Sequence, residues 1–243
     1  MKDIDLVDLR RIIEVVKESY GYDFSNYAMS SFKRRISRVI DIHNISVETL
    51  IEKIKKDRNY GEDFLSEITV NVTEMFRDPS FWKIMREDII PSILLNHKTF
   101  KIWHAGCSSG EEVFSMAINL KEMDLLDKVS IIATDIDEKI INKAKSGIFP
   151  LKNMELNGKN YLRYEGTAKF EDYYAVKGNS AIMDPDLVKK VDFRKNDLVL
   201  GEPFNKFDLI LCRNVMIYFN QTLQNDVLKK FHQSFPNQPE NLF

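Results

Sequence analysis

The stretch KIWHAGCSSGEE, residues 101–112, decides the fold. A short apolar strand (Ile102, Trp103, Ala105) runs into a Gly/Ser turn, and an amphipathic helix (Val113, Met116, Ala117, Leu120) follows at once. Strand, glycine turn and helix in that order make the ligand-binding corner of a doubly wound α/β sheet. Gly106 and Gly110 can take backbone angles and approach distances that a Cβ forbids, and Ser108 and Ser109 add hydroxyls and backbone donors. Plain connectors use such turns too, so the surroundings must decide. The spacing is neither GxGxxG nor a P-loop, since no Lys-Ser/Thr pair follows the second glycine. The helix opens instead with Glu111 and Glu112, which repel a pyrophosphate and attract a cation, so the corner leans away from NAD and ATP.

Downstream the α/β alternation continues. VSIIAT (129–134) reads as a second buried strand ending in Asp135-Ile136-Asp137; Asp135 is the candidate for a ribose, and Asp137 caps the next helix. Residues 191–194 form a third strand ending in Lys195-Asn196-Asp197, and FDLILC (207–212) a fourth that runs into Arg213-Asn214. Ligands of such sheets sit beyond the carboxyl ends of the strands, so Glu112, Asp135, Asn196 and Asn214 are expected to line one crevice. Between about residues 161 and 191 the alternation lapses; Tyr173, Tyr174, Val176, Gly178-Asn179, Ala181 and Ile182 suggest a small inserted hairpin.

Upstream the chain reads as helices only. Asp5 is placed to cap a helix with Leu6, Leu9, Ile13 and Val16 on one face, and Gly21 to end it. In NYAMSSFKRRISRVIDIH (26–43), Met29, Phe32, Ile36, Val39 and Ile40 form an apolar stripe. Arg34 and Arg38 project from the opposite side with Lys33 and Arg35 flanking, a cationic face that, read by itself, is equally a solvated one. Further helices follow over 46–56 and through Phe64, Leu65 and Ile68. The linking segment ITVNVTEMFRD (68–78) carries Asn71, Thr73 and Arg77 at spacings that let them reach one site; Asp78-Pro79 reads as N-cap and first helical residue, and Pro91 as an end or kink.

Bulk properties exclude several classes. With 243 residues, 44% hydrophobic and 30% charged, the chain suits a larger domain plus a smaller one, soluble and globular. No apolar run reaches the roughly 20 residues of a membrane span and the start has no signal-peptide core, so a cytoplasmic location without membrane insertion is expected. Two cysteines and four scattered histidines indicate neither disulfides nor a metal site, and a net charge of −2 argues against nucleic acid as partner.

The segments YAMSSFKRRISRVI, NVTEMFRDPSFW, KIWHAGCSSGEEVFSMA, IIATDID and FDLILCRNVMIYF, in this order, resemble the CheR family of chemoreceptor glutamate methyltransferases over almost the whole chain. The resemblance implies a class I, Rossmann-like S-adenosylmethionine-dependent methyltransferase fold in residues 71–243, an N-terminal all-α receptor-recognition domain in residues 1–70, and a small antiparallel β subdomain at about 161–191. It implies S-adenosylmethionine as cofactor, S-adenosylhomocysteine as product, and the cytoplasmic helices of chemotaxis receptors as partners. Asn71, Thr73, Arg77, Gly106, Gly110, Glu112, Asp135, Asn196, Asp197, Asn214 and Val215 match positions around the cofactor. Arg77 and Tyr218 match residues beside the transferred methyl, and are the catalytic candidates. A receptor's Glu-rich helices also give Lys33, Arg34, Arg35 and Arg38 a docking role.

Two departures shape the expectations. Members that tether to a receptor's C-terminal pentapeptide carry an Arg and a Gly-x-Gly loop, where this sequence has Tyr164-Glu165-Gly166-Thr167-Ala168, so no strong tether is expected. After the helix over 223–235 the family continues into three more strands, whereas this sequence ends at Phe243, so the sheet is expected to lack its last strands and to leave LILC as an apolar edge. The alternative to an enzyme is a non-catalytic truncated homologue that binds cofactor or receptor without turnover.

Overall fold

The computed structural model describes residues 4–69, 73–204 and 206–236. By contacts the chain divides into two compact units. One comprises residues 1–71 with 214–230, and the other residues 72–213 with 231–243. A boundary near residue 70 is common to this division and to the sequence reading, but residues 214–230, assigned by sequence to the methyltransferase domain, cluster with the helical unit.

The helical unit contains α1 (Leu6–Tyr20), α2 (Met29–His43), α3 (Val47–Lys56) and α4 (Arg58–Ile68). Side-chain capping sets three of its starts: Asp5 Oδ1 accepts from the Asp8 amide at 2.8 Å, Ser46 Oγ from Thr49 at 3.1 Å and Asp57 Oδ1 from Tyr60 at 3.1 Å. Gly21, at φ 79°, closes α1. The apolar stripes meet in one core, with Leu9, Ile12, Val16, Ile36, Leu50 and Ile68 fully buried. The segment 218–220 joins this unit as a short strand-like addition: the Ala28 amide donates to Tyr218 O at 2.8 Å, and the Asn220 amide to Asn26 O at 2.8 Å.

The second unit begins with α5 (Pro79–Ile84), a wide π turn (Met85–Ile89) and α6 (Ile90–Leu94). Pro91 therefore does not end the helix. It has no amide to donate and would clash with the carbonyl four residues back, and the turn before it widens so that the Ile90 amide reaches Met85 O. Then come β1 (Phe100–Ala105), α7 (Glu111–Glu122), β2 (Val129–Asp135), α8 (Glu138–Ser146), β3 (Ile148–Pro150), α9 (Leu151–Tyr164), β4 (Tyr174–Lys177), β5 (Ser180–Met183), β6 (Asp192–Lys195), β7 (Leu209–Leu211) and α10 (Gln221–Gln233). The main sheet is parallel in the order β6-β2-β1-β7, so the chain reverses its direction of travel across the sheet between β1 and β7. Ligand sites of open α/β sheets form at that reversal. Among the described residues β7 pairs with β1 alone and forms one edge.

The inserted subdomain is larger than its sequence signal. A three-stranded antiparallel sheet, β3-β5-β4, spans residues 148–183, with α9 running between its first two strands, instead of a hairpin within 161–191. It is bound to α7 through Glu122, whose carboxylate accepts from Tyr161, from Tyr173 at 3.0 Å, from Tyr164 at 3.4 Å and from the Thr167 amide at 3.2 Å. Burial and that carboxylate push the Tyr161 phenol up to about 12.

Gly110 starts α7 at φ 96°, and a Cβ there would lie 2.9 Å from Ala144 Cβ on α8. Its glycine serves the packing of α7 on α8. Gly110→Ala should therefore lower unfolding stability in chemical denaturation by about 1–3 kcal/mol. A loss below about 0.5 kcal/mol would show that the turn relaxes freely.

Candidate active site

The turn after β1 is tied to the end of β2. The Gly106 and Cys107 amides both donate to Thr134 O at 2.8 Å, and the Ser108 amide to Asp135 Oδ2 at 2.8 Å. The backbone donors expected to be free are thus spent on protein acceptors, and Ser109 Oγ donates to Glu111 Oε2 at 2.6 Å. Glu111 is buried, and burial raises its pKa; it faces inward, so only Glu112 of the pair acts at the mouth. Asp135 is half-buried and also accepts from the Asp137 amide at 3.2 Å, while its own carbonyl accepts from Asn196 at 2.9 Å. Asp137 caps α8 through Lys139 at 2.8 Å.

Glu112 is gripped at both oxygens. Oε1 lies 2.8 Å from His104 Nδ1 and Oε2 3.3 Å from Arg213 Nη1. A carboxylate accepts, so His104 donates from Nδ1, and among the described residues two of about four lone-pair positions on Glu112 stay open. His104 is fully buried, and its Nε2 has no hydrogen-bond partner among the described residues. Sequence reading passed over both residues. The signal for His104 was a polar side chain in an otherwise apolar strand, and for Arg213 a cation at a strand tip.

Arg213 reaches further, donating to Arg77 O at 3.0 Å and Asp78 Oδ2 at 2.7 Å, with its guanidinium 4.1 Å from the Phe81 ring centre. Asp78 occupies the N-cap position of α5 with Pro79 after it, as the sequence reads, but its side chain makes no cap bond: the carboxylate is held by Arg213, and its φ is 58°. Phe76, at φ 53°, flanks Arg77 on the other side, and is fixed by its amide on Ser115 Oγ (2.8 Å) and by stacking on Tyr164 (4.7 Å). Among the described residues, left-handed non-glycine positions fall in two groups. Asn44, Asp124 and Glu165 sit at or just past helix ends, and Phe76, Asp78, Ser108 and Asn214 in the candidate segments. Backbone strain of this kind gathers at functional sites.

The remaining candidates divide. Thr73 is half-buried ahead of Met75, whose amide donates to Asn157 Oδ1 at 3.0 Å, and Asn71 lies outside the described residues. Asn196 follows β6, but the Asp197 carboxylate is spent on its own loop, accepting from Val199 at 2.7 Å. Asn214, Val215 and Tyr218 group with the helical unit. There the Arg35 guanidinium lies 4.5 Å over the Tyr218 ring, and donates to Ile68 O and to Ser31 Oγ (3.1 Å). Arg35 is thus half-buried and engaged, not part of an exposed cationic face, whereas Arg34 and Arg38 are exposed and Lys33 is half-buried.

A four-stranded parallel sheet with its reversal beside β1, a glycine turn whose Gly106, Cys107 and Ser108 amides are bound to β2, and carboxylates at Glu112 and at the end of β2 have the form of a class I S-adenosylmethionine-dependent methyltransferase. Residues 71–239 match the family model described as "CheR methyltransferase, SAM binding domain" and residues 7–69 that described as "CheR methyltransferase, all-alpha domain". The chain belongs to the CheR methyltransferase family, and its cofactor is S-adenosylmethionine. It is 38% identical over 229 residues to a Pseudomonas putida protein named "Putative methyltransferase Cher3", covering 94% of this chain and 84% of that one. A "Chemotaxis protein methyltransferase" of Listeria innocua is 32% identical over 222 residues, covering 90% and 82%.

The donor set fits this cofactor. Glu112 offers open lone pairs to an ammonium, and Asp135 a carboxylate to ribose hydroxyls. Burial raises the Asp135 pKa against the opposing pull of the Ser108 and Asp137 amides. Its carboxylate is therefore lost on acidification earlier than an ordinary Asp, near 3.9, would be. S-adenosylhomocysteine affinity, followed by calorimetry, should start to fall above the usual Asp range, by up to about tenfold per pH unit. Asp135→Asn should bind weakly and without that pH dependence. A wild-type affinity that is flat down to about pH 4 would remove Asp135 from cofactor binding.

Proposed function

We propose that this chain methylates glutamate side chains of chemotaxis receptors, forming glutamate methyl esters in adaptation. Arg77 carries the reading. Two left-handed residues flank it, and the Arg213 guanidinium and the Trp82 indole (3.0 Å) both donate to its carbonyl, so its backbone is fixed. When bound, S-adenosylmethionine supplies an electrophilic methyl group. A glutamate of ordinary pKa, about 4.3, is already ionised at neutral pH, so the protein needs no general base. It has to hold the carboxylate, orient it and exclude water. Arg77 holds it; Tyr218, under Arg35, is the candidate for orienting it.

The cofactor set proposed is Thr73, Gly106, Glu112, Asp135, Asn196, Asn214 and Val215, with Asn71 and Asp197 retained from the family match. Domain roles follow the sequence boundaries: receptor recognition before residue 71, methyl transfer after it. Docking falls to Arg34 and Arg38 on α2, with Lys33 at the flank. No strong pentapeptide tether is proposed; in the 164–168 segment the Ala168 amide donates to Tyr161 Oη at 3.1 Å.

Incubation with methyl-labelled S-adenosylmethionine and a chemoreceptor cytoplasmic fragment should give label on the fragment that alkali releases as methanol. Arg77→Ala should lower kcat/KM by about a hundredfold. Cofactor binding without alkali-labile label on the fragment would reject the glutamate reading and leave a binding module. The double variant Arg34→Glu, Arg38→Glu should raise KM for the fragment roughly tenfold and leave S-adenosylhomocysteine affinity unchanged. An unchanged KM would remove α2 from docking.

A further inference from the structure

The methyltransferase unit carries a cationic surface of its own. Arg77 lines an open groove of about 690 Å³ together with Lys83 from α5 and Leu156, Asn160 and Arg163 from α9. The groove also contains two carboxylates, Glu74 and Asp78, which its cations Arg77, Lys83 and Arg163 outnumber. Glu74 accepts from Asn160 Nδ2 at 2.8 Å, and Asp78 pairs with Arg213 at 2.7 Å. Lys83 pairs with Glu165, while Arg163 is exposed and has no hydrogen bond or ion pair among the described residues. The balance facing a ligand is positive.

The surface extends along α9. Lys152, Leu156, Lys159 and Arg163 stand at i, i+4, i+7 and i+11, so they share one helical face, and all four are exposed. Leu156, 51% exposed, puts an apolar contact in the middle of the basic row. Lys159 pairs with Glu155 at 2.7 Å, but both side chains are mostly in solvent, so the pair costs little to give up. Helical spacing on one side matches helical spacing on the other: an α-helix with glutamates at i, i+4 and i+7 repeats side chains at each turn of about 5.4 Å, the spacing of Leu156, Lys159 and Arg163 on α9.

We propose that this α9 face and the Arg77 groove are the seat of an acidic helix, in which Lys159 and Arg163 recognise carboxylates one or two turns from the glutamate that Arg77 holds. The inference rests on the protein-glutamate reading and adds to it a specificity surface. Target choice then depends on flanking acidic residues as well as on the target itself. Charge complementarity, an apolar contact and a groove lined by Arg77 and Arg163 together all point to a helical protein segment.

The test uses the full chain with Lys159→Glu, Arg163→Glu and Arg163→Lys, residues outside the cofactor set. One readout is steady-state methylation of the receptor fragment; the other is fluorescence anisotropy of a labelled helical peptide with glutamates at i, i+4 and i+7. Each reversal should raise KM and the peptide Kd roughly tenfold, flatten the salt dependence, and leave kcat and S-adenosylhomocysteine affinity unchanged. Arg163→Lys should stay near wild type. Turnover with KM and peptide Kd indifferent to both reversals overturns the seat and leaves the glutamate reading standing. Charge-dependent peptide binding without any turnover overturns the glutamate reading and keeps the seat as a binding surface. Loss of both rejects both. Displacement of the peptide by a single-stranded oligonucleotide at equal charge concentration would make the face a general polyanion surface and overturn the acidic-helix proposal.

Discussion

The candidate site depends on where three successive amides point. Gly106, Cys107 and Ser108 donate to the last two residues of β2, two to the Thr134 carbonyl and one to the Asp135 carboxylate. In a phosphate-binding turn such amides face the ligand and form a nest for negative charge. Here they are consumed, and the charge they help to hold is the protein's own. The turn locks β1 to β2, gives Asp135 amide partners that oppose the rise burial causes in its pKa, and leaves a mouth lined by acceptors. A cationic cofactor fits that mouth and a pyrophosphate does not.

Arg213 extends the same economy across the sheet reversal. A half-buried guanidinium must find acceptors, and it finds them in Glu112, Asp78 and the Arg77 carbonyl while lying on Phe81. Glu112 and the segment presenting Arg77 thus share one cation. His104, buried and bonded to the other Glu112 oxygen, prevents that carboxylate from following Arg213 alone. Glu112 is positioned by two donors and still keeps accepting capacity, as preorganised electrostatics requires.

Much of this was legible in the sequence because it rests on local signals. The Asp5 cap, Gly21 at the end of α1 and the strand–glycine turn–helix corner each follow from one or two residues and stand where the sequence puts them. The features that escaped rest on non-local contacts. β3 has three residues and exists only because β5 pairs with it, so no period announces it. Asp78 reads as a cap until Arg213, far along the chain, takes its carboxylate. Adjacent Glu111 and Glu112 look alike in sequence, and only Ser109 on one side and His104 and Arg213 on the other separate inward from mouth-facing. Arg35 sits on a basic helix face by spacing, yet the Tyr218 ring and the end of α4 draw it out of the exposed row.

The sign of the mouth is the central claim, and competition between ligands of opposite charge tests it most directly. S-adenosylmethionine and ATP share adenosine and differ in the group attached to its ribose, a sulfonium amino acid in one and a triphosphate in the other. Calorimetric titration of the full chain with each isolates that difference. Acceptors at Glu112 and Asp135 predict one-to-one binding of S-adenosylmethionine and affinity for ATP weaker by at least about a hundredfold. ATP binding within about tenfold of S-adenosylmethionine would mean that the amides of residues 106–108 turn outward to phosphate, and would contradict the account.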